Sequence, residues 1–249
     1  FGNATMLLMG AALIAQVLGF FRTKLVNANF GDLAQNDPQN AGVYFTAFVL
    51  PDFFFFIIAA GALGVAVMPY LNDRLAKGDR RGVWELSTSL INFLGIFLAV
   101  IGVFMFIFAD VMARKLAHGY TAEQLHNVAT MMRILALNPM LFTISGIIAS
   151  TQQVFGRFFF YATAPIFYNV SIIASLYIFK DSIGIVGLAI GAAIGAVLQL
   201  LVILIGVSGL GFRWSPTIKR THDFRSMLRQ LPPRSLDQGL DQVQSIVET

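Results

Sequence analysis

The apolar residues of this chain come in long unbroken runs, and that pattern constrains the fold more than any other feature. Residues 5–26, 42–71, 84–108, 128–154, 159–179 and 184–207 are six stretches of mostly apolar sequence. Roughly 20 such residues carry a helix across the hydrocarbon of a bilayer. Inside lipid every backbone polar group needs a partner within the protein, so runs of this kind fold as helices. Charged residues make up 12% of the 249 positions and hydrophobic residues 57%, whereas a soluble domain carries about 25% charged residues. Too little charge is left to cover a water-facing surface. The pattern predicts an all-α polytopic membrane protein with six transmembrane helices. A further segment from residue 226 is helical in propensity but amphipathic, and it reads as the start of a seventh helix. The sequence stops within it at "QSIVET", so the chain reads as part of a longer protein.

Charge adds orientation and excludes several functions. The net charge is +4, with no basic run interleaved with aromatics, so no nucleic-acid partner is expected. Zero cysteines exclude disulfides and thiolate chemistry, and His118, His126 and His222 lack metal-ligand spacing. No enzymatic constellation is present. The connections after the second, fourth and sixth spans carry nine basic residues, among them Arg74, Lys77, Arg80, Arg81, Arg157, Arg213 and Lys219. The alternate connections carry three: Arg114, Lys115 and Lys180. Basic loops stay on the cytoplasmic side, which predicts a cytoplasmic N-terminus.

Within the second span, "AFVLPDFFFF" places Pro51 and Asp52 in hydrocarbon-like sequence. A straight helix over 42–71 would run roughly 45 Å, more than the bilayer core, and a bend at Pro51 accommodates it. Asp52 either caps the backbone freed by that bend or contacts substrate or a cation. Arg22, in "QVLGFFRTKL", either snorkels to the interface or turns inward to an anionic headgroup. Gln16, Gly19 and Thr23 share one face, a polar and small stripe suited to a wet cleft. Arg133 opens the fourth span and snorkels or turns inward in the same way. Pro139, after Asn138, and Pro165, before Asn169, repeat the proline device, so bent helices around an opening are expected. Gly187, Gly191 and Gly195 recur every fourth residue and predict close helix packing. In "LPPRSLDQGLDQVQSIVET", Asp237 and Asp241 lie one turn apart beside Gln238 and Gln242, so that helix lies at the interface or lines a hydrated cavity.

The ordered set "VLGFFRTKLVNANFG", "VYFTAFVLPDFFFFIIAAGALGVAVMPYL", "APIFYNVSII", "GLAIGAAIGAVLQLLV" and "LPPRSLDQGLDQVQSI" resembles the MurJ/MviN family of the multidrug/oligosaccharidyl-lipid/polysaccharide exporter superfamily. The resemblance covers essentially the whole chain. It implies a two-lobed fourteen-helix transporter in the bacterial cytoplasmic membrane. Residues 1–225 would form the six-helix N-terminal lobe and 226–249 the start of helix 7. The implied activity is lipid II flipping: an undecaprenyl-pyrophosphate-linked precursor moves from the inner to the outer leaflet by alternating access, for peptidoglycan and cell shape. No cofactor is implied beyond a sodium ion or the membrane potential as driving force, with Glu248 near the position of a family sodium ligand. Membrane lipids and cell-wall synthesis proteins are the implied partners.

The resemblance also marks departures. Gln16 stands where well-studied members carry an arginine, and Arg22 matches their second one. Gly42 replaces an aspartate, Phe55 and Phe56 replace paired arginines, and Ala60 replaces a glutamate. The candidate cavity residues are therefore Arg22, Gln16, Asp52, Arg234, Asp237 and Asp241. Lipid II flipping is the favoured reading. Export of another lipid-linked glycan or a drug, and a non-transporting scaffold in cell-wall synthesis, stand as alternatives.

Overall fold

In the computed structural model, residues 2–57 and 67–219 are described, together with 223, 224 and 226. Among these residues every regular element is helical: α1 (Gly2–Phe30), α2 (Ala41–Phe55), α3 (Met68–Ala76), α4 (Arg80–Leu116), α5 (Ala122–Leu135), α6 (Asn138–Val154), α7 (Phe159–Phe179) and α8 (Val186–Gly206). Five spans are long and apolar enough to cross a membrane, α5 and α6 together making one of them. α2 is apolar but shorter, and most of the rest of the predicted second span lies outside the described residues.

Sequence and structure differ at two helix boundaries. Over 42–71, where one bent helix was predicted, wider π-type turns follow α2 at Phe56 and Ile57 and precede α3 at Val67, and residues 58–66 lie outside the described residues. α4 extends beyond the predicted 84–108 to 37 residues, about 55 Å at 1.5 Å per residue, because its charged ends stay helical outside the apolar run. The fourth predicted span is two helices, broken at Ala136 and Leu137. Pro139 is consequently the second residue of α6, where its missing N–H is one the helix start leaves unpaired anyway.

The helices belong to two compact units. The first contains residues 1–51, 100–138 and 162–199. Its core gathers small alanines and flexible methionines, Ala109 and Ala113 of α4, Met131 and Met132 of α5 and Ala189 of α8, around Ile172 of α7. Short residues let the helix axes approach, and methionine fills the irregular gaps that remain. The glycine repeat of α8 lies against α7. A Cβ on Gly187 would meet Phe179, and one on Gly191 would meet Ser175. One on Gly195 would come within 2.9 Å of the Tyr168 ring. The close packing predicted from the repeat is the arrangement present.

Side-chain amides anchor the loop at 31–40. Thr121 and Gln124 form a capping box at the start of α5, and Gln124 Nε2 also donates to the carbonyls of Gln35 and Asp37 at 2.7 and 3.0 Å. The Ile185 N–H donates to Gln39 Oε1 at 2.6 Å, fixing the turn that enters α8.

The second unit contains residues 52–99, 139–161 and 200–249. Its centre of gravity is Trp84 on α4. The indole stacks on Phe155 at 5.6 Å and meets the edge of Phe212 at 5.0 Å, and its N–H donates to the Leu210 carbonyl at 3.1 Å. A buried Trp needs such a partner for its one donor. Ser87 and Thr151 share a hydroxyl–hydroxyl bond of 2.8 Å, and Gln152 donates to the Ile203 carbonyl, tying α4, α6 and α8 by polar contacts away from water. Arg74 holds Asp223 by two bonds of 3.0 and 2.8 Å.

Candidate functional site

α1 is the most exposed of the spans. Met9, Leu13 and Phe20 are each more than 60% exposed and face lipid or other protein, while Val26 and Phe30 near its end are buried in the core of the first unit. Against that background its polar residues stand out. Thr23 donates to the Gly19 carbonyl at 3.1 Å, one turn back. On the other side of the contact, Asn169 of α7 donates to the Ala15 carbonyl at 3.5 Å and to the Pro165 carbonyl at 3.1 Å. Its Oδ1 lies 3.8 Å from where a Gly19 Cβ would stand. Small residues at 15 and 19 give the Asn169 amide access to the α1 backbone. Pro165 lacks the N–H that would bond the Tyr161 carbonyl, so this part of α7 relies on side-chain partners.

Gln16 is exposed on α1, and its side chain makes no hydrogen bond among the described residues. Arg22 is half-buried, and among the described residues its Nε has no acceptor although the atom is shielded from solvent. At 100° per residue the two side chains project about 120° apart around the helix, so they do not form one surface. The stripe of Gln16, Gly19 and Thr23 and the Arg22 guanidinium are separate features of α1. A shielded guanidinium N–H without a partner costs free energy and has a strong preference for an anionic acceptor.

Pro51 is buried at the end of the first unit, and its ring leaves the Ala47 carbonyl without the usual helical donor. Asp52 is half-buried and belongs to the second unit. Of the phenylalanines that follow, Phe55 packs edge-on against Phe142 of α6 at 5.5 Å, while Phe56 remains exposed. The ring at 55 thus joins the helix packing. Arg234, Asp237, Asp241 and Glu248 lie outside the described residues, as does Ala60. No group of three metal-ligating side chains occurs among the described residues.

One polar contact was only half visible in the sequence. Arg133 of α5 bonds the Asp110 carboxylate on α4 and donates to the Phe106 carbonyl at 3.3 Å. Sequence reading singled out the arginine and passed over Asp110, whose only signal was its place beside the basic end of "FADVMARKL".

Comparison with solved structures places this arrangement. A structure described as lipid II flippase MurJ in an inward closed conformation superposes with a TM-score of 0.76 at 20% identity, over 97% of this chain and 49% of that one. An outward-facing multidrug resistance MATE family transporter of the MOP superfamily gives 0.69 at 17% identity, over 96% and 52%. The fold is therefore that of about half of each of these chains, and with its five apolar spans it defines a multi-pass, all-helical membrane protein. Residues 37–249 match the family model described as Lipid II flippase MurJ, and the chain belongs to that family.

Curated relatives agree. The probable lipid II flippase MurJ of Buchnera aphidicola subsp. Schizaphis graminum (strain Sg) is 26% identical over 76% of this chain and 36% of its own length. That of Rickettsia prowazekii (strain Madrid E) is 24% identical over 92% and 45%, and that of Rhizobium tropici 26% identical over 96% and 45%. The chain thus spans less than half the length of these relatives.

Proposed function

We propose that the protein carrying this lobe moves a lipid-linked peptidoglycan precursor, with an undecaprenyl-pyrophosphate anchor, from the inner to the outer leaflet of the bacterial cytoplasmic membrane. The observation that carries this reading is Arg22, a half-buried guanidinium on the most exposed helix with its Nε unpaired. A pyrophosphate supplies the anionic oxygens such a group prefers, and bidentate contact with it is strong. Family membership and the names of the relatives support the same cargo. The basic connections at Arg74 to Arg81 and at Arg213 to Lys219 support a cytoplasmic N-terminus. A sodium ion or the membrane potential supplies the driving force, and proteins of cell-wall synthesis are the partners.

A second reading is export of a different lipid-linked glycan. Arg22 is the one arginine on α1, Gln16 is uncharged, and Phe55 is occupied with Phe142, so fewer cations are offered to a pyrophosphate than the family resemblance implies. Complementation separates the two. Expressed at full length in a cell depleted of its own lipid II flippase, the protein restores growth, Arg22→Ala at equal protein level does not, and Arg22→Lys does so in part. Failure of the unaltered protein would favour the second cargo, and full growth with Arg22→Ala would remove Arg22 from the site.

A further inference from the structure

The second unit contains a cleft of about 570 Å³ where the start of α4 meets the segment after α8, lined by Arg80, Arg81, Trp84, Arg213, Trp214 and Lys219 among others. That volume is within the usual range for a small-ligand site, roughly 300–1,000 Å³. We infer that this cleft binds the phosphate group of an anionic membrane lipid. The inference depends on the chain spanning a membrane and is independent of what the protein transports.

The charge count favours an anion. Among the described residues Glu85 is the one carboxylate lining the cleft, and its Oε1 accepts from both Arg81 Nε at 3.0 Å and Lys219 Nζ at 2.8 Å. One negative charge is thus shared between two cations. Arg80 rests its guanidinium 5.2 Å over the Phe155 ring, a contact that leaves its charge uncompensated. Arg213 makes no ion pair among the described residues. Four cations against one carboxylate leave a formal excess of three positive charges around one hollow.

The walls are built before any ligand arrives. Asn92 accepts from the Trp214 indole N–H at 3.1 Å and donates to the Ser215 carbonyl at 2.6 Å. The Lys219 N–H donates to Ser89 Oγ at 3.1 Å. These three bonds fix the segment after α8 along α4 and set the position from which Arg213 and Lys219 reach inward. Ordering costs at binding are correspondingly small.

Two features select a lipid over a soluble phosphate. The Trp214 ring is 59% exposed, and an indole with a wet edge and an apolar body is typical of the membrane–water interface. Glu85, Asn92 and Ile96 recur on one face of α4, at i, i+7 and i+11, and Ile96 is exposed. A phosphate held among Arg80, Arg213 and Lys219 therefore has an exposed apolar side chain, Ile96, for its acyl chain about three turns from Glu85 along the same helix face.

The chain's two tryptophans, Trp84 and Trp214, both line the cleft, so indole emission reports its occupancy. The full-length protein in neutral detergent is titrated with phosphatidylglycerol, with phosphatidylcholine and with inorganic phosphate, and Trp214→Phe isolates the signal from the cleft. Phosphatidylglycerol gives a saturable change that added salt weakens, and phosphatidylcholine gives none. The double variant Arg213→Ala/Lys219→Ala raises the apparent Kd about thirtyfold, on the order of tenfold or less per cation removed. Arg114→Ala/Lys115→Ala, a basic pair on α4 outside the cleft, leaves it unchanged and serves as the control for folding and general charge. Equal responses to the two lipids, or an unaltered Kd in the cleft variant, would overturn the inference. Saturation by inorganic phosphate as tight as by phosphatidylglycerol would overturn the lipid source and leave a soluble phosphate as the ligand.

Discussion

Ser171 of α7 donates its hydroxyl to the Gly191 carbonyl of α8 at 2.8 Å, a contact open only because residue 191 has no side chain. A Cβ there would collide with Ser175 and approach the Ser171 carbonyl at 3.0 Å. The glycine is held by what faces it on the neighbouring helix.

The first prediction tests that contact. Gly191→Val forces α7 and α8 apart and destabilises the protein by about 2 kcal/mol or more, as overpacking of a tight contact does. Gly10→Ala on α1, where nothing lies within 4 Å of a new Cβ, is neutral or gains up to about 1 kcal/mol from helix propensity. Thermal unfolding in detergent ranks them: Gly191→Val lowest, Gly10→Ala at or above the parent. Equal midpoints for Gly191→Val and the parent would mean that the two helices do not pack through this face.

The second concerns Arg133 and Asp110. The arginine side chain is 29% exposed and the aspartate 54%, so solvent screens much of the pair. A double-mutant cycle with Arg133→Met and Asp110→Asn gives a coupling of about 0.5–1 kcal/mol, shrinking in 1 M salt. The reversed pair, Arg133→Asp with Asp110→Arg, recovers more stability than either single reversal. A coupling near zero would reduce the contact to two side chains that lie near each other without interacting.

These two contacts show what could be read from the sequence. The glycine spacing was visible because a helix repeats its face every third or fourth residue, and both the pattern and its consequence are local. α7 was predicted to the residue and α8 to within two, because each is an apolar run ended by polar and glycine-rich turns. The break before Pro139 was misplaced, since a proline inside an apolar run reads alike whether it bends one helix or begins another. Asp110 and the partners of Trp84 were missed for a different reason. Trp84 meets Phe155 and Phe212 across 71 and 128 positions of sequence, and no periodicity marks such a pairing. Of the candidate site, Arg22 was legible as a charge in an apolar helix. Its shielded and unpaired Nε was not, because that depends on how neighbouring atoms pack.

The third prediction separates the two roles of Trp84. Trp84→Phe keeps a ring against Phe155 but loses the donor to the Leu210 carbonyl, at a cost of about 1 kcal/mol. Trp84→Ala loses the whole cluster and costs about 3–5 kcal/mol. Melting points spaced in that order, with Trp84→Phe the nearer to the parent, are the expected result. If both variants match the parent, the indole is not a keystone of the second unit.

The fourth concerns Arg22, where stability and function should move in opposite directions. A side chain retained for folding loses contacts when it is truncated, so its removal lowers the melting point. Arg22 has a shielded Nε with no acceptor among the described residues, and an unmet buried donor costs about 1–3 kcal/mol while it persists. Arg22→Met keeps the aliphatic stem and removes that cost, so the variant melts at or above the parent, by up to a few degrees. The same substitution abolishes movement of a pyrophosphate-linked lipid between leaflets, read with a fluorescent lipid in reconstituted vesicles. Ser171→Ala is the contrast: it loses a helix-to-helix hydrogen bond, melts lower and keeps transport. If Arg22→Met melts several degrees below the parent and still transports, the guanidinium serves the fold, and the anionic cargo is held elsewhere.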